Sequence, residues 1–241
     1  MMTKNQVGEE ASEPLLLLPG LMCDSRIFQA QSAAFPQARV IADSGKERSL
    51  GEMAEWVLAA APPQFALLGH SMGARVALEV VRRAPERVQR LALVSTGVHP
   101  VAQGEAEKRH ALRDLGRSQG VAALVDAWLP PMVAPDRVND VALMTALRAM
   151  CTSAGLERYE AQAAALLARP EVEPLLPSIA VPTLVATGSE DRWSPPAQHQ
   201  RIAAAIPQAD LQIISGAGHM LPAEAPDALN AVVARWLARA A

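Results

Sequence analysis

Residues 64–83 read Gln-Phe-Ala-Leu-Leu-Gly-His-Ser-Met-Gly-Ala-Arg-Val-Ala-Leu-Glu-Val-Val-Arg-Arg, and this stretch carries the strongest indication of the fold. The apolar run at 64–68 predicts a buried strand, which leads at once into Gly-His-Ser-Met-Gly at 69–73. Residues 74–83 then carry apolar side chains at helical spacing, which predicts a one-sided helix. A tight turn from strand to helix holds the serine hydroxyl clear of the sheet. The segment therefore predicts an α/β sheet with a reactive serine, Ser71, at a strand end.

The same alternation of short apolar runs and helical segments extends over most of the chain. Six runs are predicted as strands, at residues 14–18, 39–42, 64–68, 88–95, 181–187 and 211–214. Helices between and after them are predicted at residues 49–60, 74–83, 196–205 and 226–239. Strands that are apolar throughout and separated by helices are typical of a parallel sheet covered on both faces. We expect an α/β fold with about six strands, mostly or wholly parallel and flanked by helices.

The alternation stops between residues 100 and 177. Four helical stretches follow one another there without a strand, at residues 105–115, 121–128, 136–150 and 156–169. Glycine and proline residues separate them, which indicates helices joined by turns. We expect a four-helix cap inserted after the fourth predicted strand. The domain prediction is a core at 1–99 and 178–241 with a helical cap, or lid, at 100–177.

Composition excludes several classes of protein. The chain has 22 Lys and Arg against 25 Asp and Glu, a balance that disfavours nucleic-acid binding. No apolar run approaches the roughly 20 residues of a membrane span. The first apolar run follows Glu9, Glu10 and Glu13, where a secretory leader carries positive charge. Cys23 and Cys151 have no metal-ligand spacing and make no disulfide framework. We expect a cytoplasmic protein that needs no metal and no cofactor.

A serine hydroxyl is a weak nucleophile at neutral pH, and it needs a base that a carboxylate orients. His219 lies in a glycine-rich loop just after the last predicted strand, and Asp191 follows the fifth one, with Glu190 as its competitor. The other histidines are interpreted as structural, pocket-lining, packed or solvated residues: His70, His99, His110 and His199. The chain order Ser71, Asp191, His219 is that of one hydrolase fold. We predict these three as catalytic residues.

The chain resembles enzymes of the α/β-hydrolase fold from about Leu15 onward. The matching stretches are residues 17–22, 69–73, 188–195 and 218–226. Family members typically show Gly-x-x-Asp-x-x-x-Pro around the acid and Gly-His followed by Glu-x-Pro around the histidine. Both patterns hold here, which favours Asp191 over Glu190. With its four-helix cap the chain is similar to bacterial carboxylesterases, 3-oxoadipate enol-lactonases and pimeloyl-carrier-protein methyl ester esterases.

The resemblance implies a serine hydrolase that cleaves a carboxylic ester of modest size, including a lactone or a thioester. It also implies that the N–H groups of Leu21 and Met72 stabilise the oxyanion. The family usually has His-Gly after its first core strand, whereas this chain has Pro19-Gly20. A backbone donor at Leu21 survives that change, although the packing of the loop must differ. Some proteins of this fold are instead cofactor-free lyases or small-molecule receptors, and both alternatives stay open.

Apolar residues beside the predicted catalytic loops, or in the cap above them, are candidates for the substrate pocket. They are Met22, Trp128, Leu129, Met132, Trp193 and Met220. The expected partner is a small-molecule ester. Basic residues at about helical spacing in the cap would also fit an acidic acyl-carrier protein, namely Lys108, Arg109, Arg113 and Arg117. A solvated helix surface is the simpler interpretation of that spacing.

Overall fold

Six parallel strands form one sheet in the computed structural model, which describes residues 13–240. The strands are β1 (Leu15–Leu18), β2 (Ala38–Val40), β3 (Phe65–His70), β4 (Val88–Val94), β5 (Thr183–Gly188) and β6 (Asp210–Ile214). Their order across the sheet is β2-β1-β3-β4-β5-β6, and every neighbouring pair is parallel. The prediction of about six mostly or wholly parallel strands is confirmed. Glu9 and Glu10, which argue against a leader in the sequence, lie outside the described residues.

Burial follows the position of each strand in the sheet. All residues of β1, β3 and β5 are buried, whereas the edge strands β2 and β6 are partly exposed. The interior strand β4 is buried from Leu91 to Val94, whereas Gln89 and Arg90 near its start are half-buried. Long apolar stretches in the interior strands follow from the covering of both faces of the sheet. All six strands run in the same direction, so their carboxyl ends share one edge, where ligands bind in open α/β sheets.

Ten α-helices accompany the sheet within the described residues. They are α1 (Gln29–Ala34), α2 (Leu50–Ala60), α3 (Met72–Arg83), α4 (Glu105–Gln119), α5 (Val121–Trp128), α6 (Val141–Ala154), α7 (Leu156–Leu167), α8 (Pro196–Ala205), α9 (Leu221–Glu224) and α10 (Pro226–Leu237). Helices α2 and α3 pack together, and α3 lies against β1, β3 and β4. Helices α8 and α10 lie against β5 and β6. The sequence does not predict α1 and α9, because six and four residues are too short to show a helical period. None of the described helices is long and apolar enough to cross a bilayer.

The described residues between β4 and β5 form helices and turns without a strand. Helices α4 to α7 lie there, together with 3-10 turns at Pro130–Met132, Pro135–Arg137 and Glu173–Ser178. Gly120 and Gly155 have φ of +88° and +82°, and each ends one helix and begins the next. Helix α6 begins at Val141 rather than at 136, because the Asp140 side chain accepts the N–H of Leu143 and caps the helix there. We refer to residues 100–177 as the helical insertion. Its assignment as a separate cap stays a prediction.

Candidate active site

Ser71 occupies the turn between β3 and α3 in a conformation that few residues other than glycine adopt. Its φ is +55°, which is sterically strained and typical of functional turns. The turn requires glycine on both sides of the serine. A side chain at Gly73 would overlap the carbonyl group of Leu18, and one at Gly69 would overlap the backbone of Ala74. The local sequence therefore holds the Ser71 hydroxyl at the carboxyl edge of the sheet, where α3 begins.

Ser71, His219 and Asp191 meet in one hydrogen-bonded chain, although they come from loops after three different strands. Ser71 Oγ lies 2.8 Å from Nε2 of His219. Nδ1 of the same imidazole lies 2.9 Å from Oδ2 and 3.1 Å from Oδ1 of Asp191. With its proton on Nδ1, the imidazole donates to the carboxylate and accepts from the hydroxyl. This arrangement can move the hydroxyl proton to Nε2 while the carboxylate stabilises the resulting imidazolium.

Asp191 is buried but well supplied with hydrogen-bond donors. Its Oδ1 accepts the N–H groups of Trp193, at 2.9 Å, and Ser194, at 2.7 Å, and Thr187 Oγ1 donates to Oδ2 at 3.3 Å. Burial alone would raise the pKa of Asp191. The neighbouring His219 and the backbone N–H of Ser194 outweigh that effect and hold the pKa below its usual value. The carboxylate is therefore ionised at neutral pH.

The loop that carries His219 is held by the helical insertion. The N–H of His219 donates to the carbonyl oxygen of Met132 at 2.8 Å. Oε2 of Glu224 accepts the N–H groups of Gly218, at 2.9 Å, and Ala134, at 2.8 Å. Burial raises the pKa of the Glu224 carboxyl. The glutamate of the Glu-x-Pro motif thus joins the histidine loop to the insertion.

Two buried imidazoles support the turn without belonging to the hydrogen-bonded chain. His70 Nε2 donates to the carbonyl oxygen of His219 at 2.8 Å, and burial together with the nearby His219 lowers the pKa of His70 to about 3. His199 Nε2 accepts the N–H of Thr96 at 2.9 Å, and burial lowers the pKa of His199 to about 4. The Thr96 hydroxyl in turn donates to the carbonyl oxygen of Ser71 at 3.0 Å. Both histidines are neutral and fix backbone positions.

A cavity of about 280 Å³ opens beside Ser71, at the lower end of the range for ligand pockets. Most residues predicted for the oxyanion and pocket line it, namely Leu21, Met72, Trp128, Met132, Trp193 and Met220. Met22 and Leu129 are not among the residues that line it, and their contact with a substrate stays a prediction. Met22 is fully buried, and Leu129 lines a separate depression on the insertion. Consecutive residues point about 100° apart at a helix end, so Trp128 and Leu129 point in different directions.

The loop after β1 is tied to α7 by a contact that the sequence does not reveal. The N–H of Met22 donates to the side-chain oxygen of Gln162 at 2.8 Å, across 140 residues of sequence. Gln162 is fully buried and also donates to Asp43 Oδ2 at 2.7 Å. Leu21 immediately precedes Met22, so its N–H lies next to the residue that Gln162 holds. Met72 begins α3, and the N–H groups of a first helical turn have no acceptor within the helix.

Charged side chains that the sequence pattern does not place in the pocket also line the cavity. They are Arg75, Glu105, Lys108, Arg109 and Arg169. The basic residues of α4 therefore differ in their surroundings, and docking of an acyl-carrier protein on them stays a prediction. Arg109 is buried against Glu105, whereas Arg113 and Arg117 pair with Asp114 and Glu160. The described residues contain no cluster of histidine, cysteine and carboxylate side chains that could hold a metal ion.

Known proteins share both this fold and this sequence pattern. Residues 53–226 match the Hydrolase_4 family, described as serine aminopeptidase, S33. A thermophilic esterase from Thermogutta terrifontis, solved with malate bound, is 27% identical, with a TM-score of 0.85 over 93% of this chain and 89% of that chain. The enol-lactonase from Burkholderia xenovorans LB400 is 24% identical, with a TM-score of 0.83 over 96% of this chain and 94% of that chain, and it supports the fold.

A further relative is much longer than this chain. A polyketide synthase from Burkholderia thailandensis is 30% identical over 163 residues, which are 64% of this chain and 8% of the synthase. The chain thus spans less than a tenth of that relative. The family match, in contrast, includes more than half of this chain. It contains Ser71, Asp191 and His219. The chain therefore belongs to the Hydrolase_4 family, described as serine aminopeptidase, S33, and is an ester-hydrolysing enzyme of the α/β-hydrolase fold.

Proposed function

We propose that the chain is a serine hydrolase that cleaves small carboxylic esters through an acyl-enzyme on Ser71. The observation that carries this proposal is the chain of hydrogen bonds from Ser71 through His219 to Asp191. It supplies a nucleophile, a base and an orienting carboxylate with the spacing that acyl transfer requires. The substrate is a small-molecule ester, and these groups perform the reaction without a cofactor.

In the first step, Ser71 Oγ attacks the ester carbonyl carbon while His219 Nε2 takes the hydroxyl proton. The carbonyl oxygen becomes an oxyanion in a tetrahedral intermediate. The imidazolium then gives its proton to the leaving alkoxyl oxygen as the carbon–oxygen bond breaks. In the second step, water loses a proton to the same imidazole and attacks the acyl-enzyme. The imidazolium then returns this proton to Ser71 Oγ as the bond between the acyl carbon and Oγ breaks and the acid leaves. Asp191 keeps the imidazole in the required tautomer throughout.

The oxyanion is stabilised by the backbone N–H groups of Leu21 and Met72. Each such donor contributes on the order of 3 kcal/mol to the transition state in enzymes of this kind. Both donors belong to backbone that the fold holds in place. The contact of Met22 with Gln162 fixes the loop on one side, and the start of α3 fixes Met72 on the other. The Pro19-Gly20 sequence therefore leaves the donor at Leu21 available.

The helical insertion acts as a cap over the reacting groups, with the core formed by residues 1–99 and 178–241. Trp128 and Met132 of the insertion are apolar residues that line the cavity. The backbone of the insertion also holds the catalytic loop, because the carbonyl oxygen of Met132 accepts a hydrogen bond from the N–H of His219. A cavity of about 280 Å³ favours esters or lactones with short acyl groups.

A series of p-nitrophenyl esters tests this function. We expect many turnovers per enzyme molecule on the acetyl and butyryl esters, and a decline in kcat/KM for acyl groups of ten or more carbons. Release of p-nitrophenol is followed by absorbance, with enzyme inactivated by a serine-directed organophosphonate as the control. Failure to turn over any ester of the series would refute the proposal and favour a receptor or a lyase on the same fold.

A further inference from the structure

Gln162 is a fully buried side chain of α7 that reaches from the helical insertion to the loops after β1 and β2. Its Oε1 accepts the N–H of Met22 at 2.8 Å, and its Nε2 donates to Asp43 Oδ2 at 2.7 Å. The oxygen of an amide only accepts and its nitrogen only donates, so an amide with these two partners has one favourable orientation. Gln162 therefore fixes the direction in which the N–H of Met22 points.

The carboxylate that Gln162 contacts is itself held in place. Oδ1 of Asp43 accepts from Arg158 Nε at 3.0 Å and from the N–H of Gly45 at 2.8 Å. Arg158 lies one turn before Gln162 on α7, so two side chains of the same helix bond to this carboxylate. Rotation of the Gln162 amide by half a turn would place its oxygen against Asp43 Oδ2, where two acceptors repel each other. The orientation of Gln162 is therefore set from both ends.

The N–H that Gln162 accepts belongs to a strained turn. The N–H of Cys23 donates to the carbonyl oxygen of Gly20 at 3.1 Å. This bond closes a turn with Leu21 and Met22 at its two central positions. Met22 has φ of +56°, a left-handed conformation that favours glycine at that place in a turn, so the surrounding contacts must outweigh the strain. Without the bond to Gln162, the peptide between Leu21 and Met22 can rotate, which relieves the strain and changes ψ of Leu21.

We propose that Gln162 is a positioning residue for the oxyanion hole, which holds the turn at 20–23 so that the N–H of Leu21 points at the oxyanion. The inference rests on the proposed function, which gives Leu21 the role of a donor. Leu21 lines the cavity beside Ser71, whereas Gln162 is not among the lining residues. Gln162 therefore acts through the turn and not on the substrate. The helical insertion thereby contributes to stabilisation of the transition state.

Replacing Gln162 with methionine keeps an unbranched side chain of similar length and removes both hydrogen bonds. Acylation and deacylation both pass through an oxyanion, so both steps should slow. We expect kcat for p-nitrophenyl butyrate to fall about 30-fold, less than the 100-fold or more that complete loss of a donor costs, with KM within about threefold of wild type. The rate is divided by the concentration of Ser71 that reacts to completion with a serine-directed organophosphonate, so unfolded molecules do not count.

A transition-state analogue separates positioning from stability. A trifluoromethyl ketone adds to Ser71 as a tetrahedral oxyanion, so its inhibition constant reports on the oxyanion hole. We expect Gln162→Met to raise that inhibition constant by about the factor by which kcat/KM falls. Loss of folded protein alone changes neither quantity. A kcat within threefold of wild type, or a lower kcat with unchanged binding of the ketone, would overturn the proposal.

A second buried hydrogen bond of α7 provides the matched control. Tyr159 is fully buried on the same helix, and its hydroxyl donates to the carbonyl oxygen of Arg109 at 2.9 Å. This bond stays within the helical insertion and does not reach the turn at 20–23. Tyr159→Phe should therefore keep kcat and the inhibition constant of the ketone within about threefold of wild type. An equal loss in Tyr159→Phe and Gln162→Met would contradict a specific role for Gln162.

Gln162→Glu provides a second test, which depends on protonation. A glutamate at this position faces Asp43 Oδ2 at about the distance of the present bond, and two buried carboxylates this close share a proton, which raises the pKa of one of them. Arg158, on the other oxygen of Asp43, opposes this rise only in part. Below the raised pKa, the protonated glutamate donates to Asp43 while its carbonyl oxygen accepts from Met22, as glutamine does. Above it, the two carboxylates repel each other.

The pH profile of Gln162→Glu shows whether this bonding pattern matters. We expect the ratio of its kcat to that of the wild-type enzyme to rise as the pH falls from 9.0 to 5.5, because the titration of His219 affects both enzymes. A ratio that is constant over this range would contradict the proposal.

The two proposals fail in different ways. Wild-type kcat and ketone binding in the Gln162 variants would remove the positioning role and leave the serine hydrolase standing. Absence of hydrolysis of every ester by the wild-type enzyme would instead refute the proposed function.

Discussion

Replacing Ser71 with alanine is expected to lower kcat for p-nitrophenyl butyrate by about 10⁵-fold or more, as loss of the nucleophile does in other serine hydrolases. The variant lacks the one oxygen that forms the acyl-enzyme. The Leu21 and Met72 N–H groups and the cavity remain. Only a small acceleration over the uncatalysed reaction should therefore survive. Steady-state kinetics on purified protein measures the loss.

The fold of the Ser71→Ala variant should be unchanged. Alanine has a Cβ like serine and meets the same backbone strain at φ +55°. Ser118→Ala is the control, because Ser118 is exposed on α4 and is not among the residues that line the cavity. It should keep wild-type activity, and all three proteins should unfold at the same urea concentration. Activity of Ser71→Ala within tenfold of wild type would show that another group is the nucleophile.

Replacing Asp191 with asparagine is expected to lower kcat by about 10⁴-fold, because it changes the tautomer of His219 to one that cannot accept the Ser71 proton. Oδ1 of Asp191 accepts the N–H groups of Trp193 and Ser194. An asparagine must keep its oxygen toward these donors, so it turns its NH₂ group toward Nδ1 of His219. Nδ1 must then accept, the proton moves to Nε2, and Nε2 can no longer accept from Ser71.

The neighbouring carboxylate provides the control for this prediction. Glu190 is exposed and lies next to Asp191 in the chain, and Glu190→Gln should change kcat by less than about threefold, as is usual for surface positions. A larger loss in Glu190→Gln than in Asp191→Asn would reverse the choice between the two acids. The ratio of the two values of kcat is the deciding quantity.

The core of the fold is predictable because its sequence signals are local. Strands β1, β3 and β5 are buried on both faces, so they appear as continuous apolar runs. Ser71 is marked by the two glycines that its turn requires, and His219 and Asp191 follow strand ends directly. Parallel strands bring those ends to one edge, so the position of each residue in the chain already predicts its neighbours.

Long-range contacts and side-chain directions could not be predicted in the same way. Gln162 and His199 resemble ordinary helical residues, and their backbone partners lie more than 100 residues away. Apolar character predicts that Met22 and Leu129 are buried, which they are, but it does not predict which buried residues line the cavity. Arg75 lies four residues after Ser71 in α3, and the apolar spacing of that helix predicts only that one of its faces is buried. Among residues 13–240 it has no ion-pair partner, which is visible only once the fold is assembled.

In the proposed mechanism, the acyl group passes through a covalent ester with Ser71. This covalent step is tested by the partition of that intermediate between water and methanol. p-Nitrophenyl, phenyl and ethyl butyrate are incubated with the enzyme at one methanol concentration, and butyrate and methyl butyrate are quantified. A common acyl-enzyme predicts the same product ratio from all three esters. A ratio that varies with the leaving group would contradict it.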